Sequence, residues 1–160
     1  MSIMAAVVTV SDRSAAGVRA DESGPLAVAA LHEAGFDCGD PLVVADGADS
    51  VADVLRALLD GGARLIVTTG GTGVGPRDAT PEGTARVLDR EVPGIAEELR
   101  RRGAAEKPAG MLTRGLAGVV DTAGAFIVNL PGSPGGVASG IPVVISVARH
   151  VLDQLGGGDH

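Results

Sequence analysis

The chain has 160 residues, 45% of them apolar, and a formal charge of −7 at neutral pH. That length is enough for one domain with a real core, while the acidic balance argues against nucleic acid, which needs a basic footprint, and disfavours anionic membranes. Cys38, the single cysteine, excludes an internal disulfide and a Cys-based metal cluster and is expected as core filler. With two Phe and no Trp or Tyr, recognition of an aromatic ring falls to backbone groups and aliphatic walls, with stacking limited to Phe36, Phe126 or a histidine. Residues 3–10 read as a strand and not a signal peptide, and the apolar run 141–148 is too short to cross a bilayer, so a cytoplasmic location is expected.

Residues 4–10, rich in valine, predict the first strand. A helix is expected from Ser23-Gly24-Pro25 to about Gly35, with Leu26, Ala27, Ala30, Leu31 and Ala34 on one face. Strand two covers 40–45 and stops at the turn dipeptide Asp46-Gly47. The next helix opens at Asp49-Ser50, where Ser50 and Asp53 fit a capping box, and ends at Gly61-Gly62. Residues 65–68 form strand three. Helices follow over 81–90 and, after Pro93-Gly94, over 95–102. Residues 103–110 read as a linker-like loop. Strands over 116–120 and 125–128 make a hairpin across 121–124. The last helix opens at Ser133-Pro134 and reaches residue 155, with Pro142 predicting a kink or a late start. Residues 1–155 are expected as a single domain and 156–160 as a flexible tail. The alternation predicts an α/β fold of three αβα layers, with a mostly parallel sheet and an antiparallel hairpin at one edge. In such sheets ligands sit at the carboxyl ends of the strands.

Four chemically loaded segments fall at those ends. Residues 64–82 run from a strand into a loop holding Gly70, Gly71, Gly73 and Gly75, then Arg77 and Asp78, then Thr80-Pro81 as a helix start. Glycines let backbone N–H groups approach an anion, and phosphate is the natural guest of such a cradle. Asp78 would repel phosphate unless a divalent cation lay between them, so the loop reads as a Mg-nucleotide or Mg-phosphate site. It is neither a Walker loop, since Pro76-Arg77 follows Gly75, nor a dinucleotide fingerprint, whose third glycine would fall on Pro76. An NAD-type oxidoreductase is thereby disfavoured. Ser11-Asp12-Arg13-Ser14 and Asp46 lie after strands one and two, and Asp46 with Asp78 could share one Mg²⁺. In the fourth segment, 129–136, Ser133 is the N-cap and Pro134 the first helical residue, leaving N–H groups for a second anion.

Taken together, Ser11-Asp12-Arg13, Thr68-Thr-Gly-Gly-Thr-Gly73, Pro76-Arg-Asp-Ala-Thr-Pro-Glu82 and Asn129-Leu-Pro-Gly-Ser133 closely resemble the MogA/MoaB-type molybdenum cofactor biosynthesis proteins. The likeness covers nearly the whole chain in order and extends to Gly17-Val18, Asp89-Arg-Glu, Pro93-Gly94 and Thr113-Arg114. It implies a molybdopterin adenylyltransferase, with Mg-ATP and molybdopterin as substrates and adenylylated molybdopterin and pyrophosphate as products. It also implies a homotrimer and a downstream molybdenum insertase. Asp46 and Asp78 then match the family's functional aspartates and would hold Mg²⁺. Thr69, Gly70, Gly71, Thr72, Gly73 and Arg77 are expected at the ATP phosphates. Ser11, Asp12, Gly132 and Ser133 are expected at molybdopterin. The alternative is a non-catalytic molybdopterin-binding paralogue or scaffold.

Overall fold

The computed structural model describes residues 2–159. Its first strand, β1 (Met4–Val10), passes through a short helix, α1 (Asp12–Ala15), to α2 (Ser23–Glu33). Two brief strands, β2 (Asp37–Cys38) and β3 (Leu42–Val44), precede α3 (Ala48–Asp60) and β4 (Leu65–Thr69). After the glycine-rich loop come α4 (Thr80–Ala85), β5 (Arg90–Glu91), α5 (Pro93–Glu106) and a 3₁₀ turn over Pro108–Leu112. The chain closes with the hairpin β6 (Ala117–Val120) and β7 (Ala125–Leu130), then α6 (Pro134–Leu155).

The strands form one seven-stranded sheet in the order β2-β1-β4-β7-β6-β5, with β3 also paired to β1. Pairings are parallel among β1, β2, β3, β4 and β7 and antiparallel from β7 through β6 to β5. The expected mostly parallel sheet with an antiparallel edge is present. Strands buried on both faces read as continuous apolar runs, because alternate side chains enter different cores. Val7, Leu65, Val67, Phe126 and Val128 pack with Leu31 of α2, Ile95 of α5 and Val144 of α6. Val8, Ile66 and Ile127 pack on the other face with Val51 and Leu55 of α3. Cys38 is buried in the first of these cores, as expected.

Several boundaries differ from the sequence reading. The strand expected over 40–45 is the shorter β3, and the two-residue β2 before it was not expected. The capping box does not form: Gly47, with φ +129, is the cap, and Ser50 Oγ instead donates to the carbonyls of Ala45 (2.6 Å) and Gly47 (3.0 Å). The helix expected over 81–90 is the six-residue α4, because the N–H groups of Asp89 and Val92 donate to Val119 O and Ala117 O and draw the chain into β5. The expected linker is mostly helical. Helix α5 runs through Gly103 to Glu106, and Gly110 lies so close that a Cβ there would strike the Gly103 carbonyl. Helix α6 starts at Pro134, so Pro142 does not delay it. By length and mean hydropathy (1.4) α6 could cross a membrane, but Val137, Ile141, Val144, Ala148 and Leu152 of this helix are core residues. The expected tail begins as a helix cap, with Gly158 N–H donating to Asp153 O at 2.9 Å, and His160 lies outside the described residues.

Candidate functional site

Strands β1, β4 and β7 end side by side, which brings the predicted segments to one edge of the sheet. The β4–β7 ladder continues one residue into the loop, where Gly70 N–H donates to Leu130 O at 3.0 Å. Gly70 has φ +90, and a Cβ there would strike the Val10 carbonyl oxygen, so only glycine fits. Gly71 follows at φ +68, between Thr80 Oγ1 and the Asp46 carboxylate. Thr80 closes the loop by donating from Oγ1 to Gly70 O (2.9 Å) and from its N–H to Gly71 O (3.0 Å). Gly132 abuts Gly70: a Cβ on Gly132 would lie 3.1 Å from Gly70 Cα. The two glycine-rich loops therefore touch. Among the described residues no protein acceptor takes the N–H of Gly71, Thr72, Gly73, Gly132 or Ser133.

The carboxylates are ordered by reciprocal bonds between loops. Asp12 N–H donates to Asp46 Oδ2 at 2.9 Å, and Asp46 N–H donates to Asp12 Oδ1 at 3.1 Å. Arg77 lies across both, donating from Nε and Nη2 to Asp12 (3.0 and 3.2 Å) and from Nη2 to Asp46 O (2.9 Å). This guanidinium holds the Asp12 carboxyl below the usual carboxylate range. Burial, with the charges of Asp12 and Asp78 adding to it, pushes Asp46 up. Asp78 Oδ2 accepts from Gly75 N–H at 2.9 Å. The Oδ1 atoms of Asp46 and Asp78 have no protein donor among the described residues.

No cluster of three His, Cys, Asp or Glu residues converges as a metal cage among the described residues. Mg²⁺ needs no such cage: one or two carboxylates suffice when waters and phosphate oxygens complete its shell. Asp46 and Asp78, each with an open oxygen beside unpaired amides, fit that donor set. A cation there would also offset the repulsion from Asp12 and Asp78 that adds to the effect of burial on Asp46.

Two cavities share this edge. One, of about 320 Å³, is lined by Ser11, Asp46, Thr69, Asp78 and Ser133, and adds the acidic Asp21 and Glu22. The other, of about 480 Å³, has apolar walls from Ala96, Leu99 and Leu112 and carries Arg100 and Lys107. Gly70, Gly71, Asp78, Gly132 and Ser133 face both. Some predicted side chains are already engaged: Ser133 Oγ caps α6 by accepting from Gly136 N–H (3.1 Å), and Ser11 Oγ caps α1 by accepting from Ser14 N–H (3.2 Å). Thr69 is buried, with Oγ1 3.5 Å from Thr9 Oγ1, and Thr72 Oγ1 accepts from Thr113 Oγ1 at 3.0 Å. Gly70 lines both cavities, but its amide belongs to the sheet. Sequence reasoning missed Arg100, Lys107 and Ser23, whose Oγ donates to Gly132 O at 2.6 Å. Only the helix start at Ser23 carried a local signal.

Fold and site define an α/β protein with two touching glycine-rich loops, rich in unpaired amides, at the carboxyl ends of parallel strands. The chain belongs to the family described as "Probable molybdopterin binding domain", whose model matches residues 6–150. It is 39% identical over 158 residues, 99% of this chain, to the molybdenum cofactor biosynthesis bifunctional protein of Synechococcus elongatus. It spans about half of that relative and of a second bifunctional one, 49% in each. It is also 35% identical over 149 residues to the molybdopterin adenylyltransferase of Pyrococcus furiosus, covering 91% of this chain and 87% of the relative. Among solved structures, the molybdopterin biosynthesis Mog protein from Mycobacterium ulcerans superposes with a TM-score of 0.89 at 42% identity, covering 96% of this chain and 99% of that one.

Proposed function

We propose that this chain is a molybdopterin adenylyltransferase, joining the phosphate of molybdopterin to the adenylyl group of ATP with release of pyrophosphate. The observation that carries this reading is the junction of the two cavities, where two touching glycine loops present unpaired amides next to Asp46 and Asp78. A phosphate oxygen of molybdopterin forms a bond to the α-phosphorus of ATP, and the bond from that phosphorus to the pyrophosphate oxygen breaks. The nucleophile is already an anion, so no general base is required. Consistent with this, His32 is bonded to Cys38 O and His150 to Gln154, and neither lines either of these two cavities.

The amides of Gly71, Thr72 and Gly73 would stabilise charge developing on the phosphates as preorganised donors, and those of Gly132 and Ser133 would hold the second phosphorylated group. Asp46 and Asp78 would hold Mg²⁺, which supplies charge neutralisation on the phosphates when bound. Arg77 acts at one remove, since its guanidinium already fixes Asp12 and the Asp46 carbonyl. The remainder of the proposal is a domain over 1–155 with a tail at 156–160, a cytoplasmic homotrimer, and delivery of the adenylylated product to a molybdenum insertase. Some relatives in this family are bifunctional chains, which supports such a partnership.

Turnover tests the reading. With molybdopterin and Mg-ATP the wild type forms adenylylated molybdopterin, whereas Asp78→Asn loses about a hundredfold or more of that rate and keeps much of its pterin binding. Pterin binding by the wild type without product would make the chain a binding paralogue or scaffold.

A further inference from the structure

All three nitrogens of the Arg114 guanidinium are bonded, and two reach the glycine-rich loop. Nε donates to Gly73 O at 2.8 Å, Nη2 to Asp78 O at 2.9 Å, and Nη1 to both carboxylate oxygens of Glu82 at 3.0 and 2.7 Å. The backbone N–H of Arg114 adds a bond to Thr72 O at 2.7 Å, and Thr113 Oγ1 donates to Thr72 Oγ1. Thr72 and Gly73 stand on the first limb of the loop and Asp78 on the second, with Val74, Gly75, Pro76 and Arg77 exposed between them. A stretch with glycine at 70, 71, 73 and 75 has little intrinsic preference for one conformation. Turning the carbonyls of 73 and 78 toward one planar fork, with that of 72 on the Arg114 backbone N–H, fixes both limbs, because a guanidinium offers its donors in rigid geometry. Glu82, in the first turn of α4, anchors the fork from behind. Arg114 itself lines neither cavity.

The geometry points to Arg114, backed by Glu82, as the positioning residue that presets the amides of 71–73 and the Asp78 carboxylate for the phosphates. This role rests on the function proposed above. Arg114 touches no reacting atom and acts only through the loop.

Hydrogen exchange and steady-state kinetics on the full chain test the assignment, with Arg114→Ala and Arg114→Lys beside the wild type. In Arg114→Ala the amides of residues 71–78 exchange about tenfold faster or more, while those of β4 and β7 keep wild-type rates. The kcat of adenylyl transfer falls about a hundredfold and the KM for ATP moves less than about threefold, the pattern of lost positioning. Arg114→Lys, which keeps the charge but not the fork, falls between, and added guanidinium ion restores part of the alanine variant's rate. Should the alanine variant not fold, the lysine variant carries the same readings. Wild-type exchange in the loop overturns the proposal. So does acceleration that is equal in the loop and in β4 and β7, which marks a general brace. A raised KM with unchanged kcat overturns it as well, since Arg114 would then be a ligand contact. If the wild type makes no adenylylated product, the function proposed above fails, while the exchange arm still decides for Arg114.

Discussion

Asp12 and Asp46 each donate a backbone N–H to the other's carboxylate, yet one carboxyl is driven below and the other above the ordinary aspartate value. Asp12, paired with Arg77, titrates low, so its share of stability is present above the unfolded value and is lost as pH falls through the folded one. Asp46 titrates high. The folded chain holds that proton to a higher pH than the unfolded chain, and stability therefore declines as pH rises from about 3.9 through the raised value. Asp46→Asn should accordingly melt higher than the wild type at pH 7, by an order of 1–2 °C once solvent screening is allowed for. The difference should vanish in acid, and Mg-ATP should raise the melting temperature of the wild type but not of the variant. Scanning fluorimetry across pH reads all three outcomes. A variant equally stabilised at every pH would show that packing, and not charge, sets the difference. That Asp46 and Asp78 share an edge could be read from two strand ends in the sequence. The pairing of Arg77 with Asp12 could not, because 65 positions separate them and a loop arginine near glycines looks like a phosphate ligand.

At the level of elements, one side chain ties strands β4 and β7 to helix α4. The buried Asn129 amide donates to Thr68 Oγ1 (2.9 Å) and Thr84 Oγ1 (3.0 Å), and its Oδ1 accepts from Leu116 N–H (3.0 Å). Removing it strands two buried threonine hydroxyls and the half-buried Leu116 N–H, each costly without a partner. Asn129→Ala should lower unfolding free energy by about 2–4 kcal/mol, measured by urea titration. A loss below about 0.5 kcal/mol would mean that water replaces the amide. The central strands were legible because a strand covered on both faces needs an unbroken apolar run, and β1, β4 and β7 supply one. The start of α4 was legible too, but its early end and strand β5 were not, since the competing ladder with β6 lies some 30 residues away in sequence. Gly103 and Gly110 looked like a linker for a similar reason. Glycine weakens a helix locally, but here the missing side chains let α5 and the following turn approach each other.

For the whole molecule, the family likeness bears on assembly more than the fold does. Leu42 and Val43 stand exposed on β3, beside the sheet edge, and Val18 is 77% exposed in the loop before α2. Light scattering on the eluting protein should return about 47 kDa, three copies of the 15.8 kDa chain. A mass near that of one copy would remove the trimer from the proposal. Within one copy, the contact of Gly132 with Gly70 has a consequence for how ligands are selected. The Gly70–Leu130 bond makes both loops extensions of the same central pair of strands, so neither can shift without the other. The sheet sets the separation at which the two loops begin, and Arg114 holds the limbs of the first one beyond it. The edge behaves as a ruler rather than a clamp. Under the proposed function, two anionic groups bound there would be accepted when the distance between them matches a fixed interval, and a ligand of another length would gain nothing from closing the loops around it.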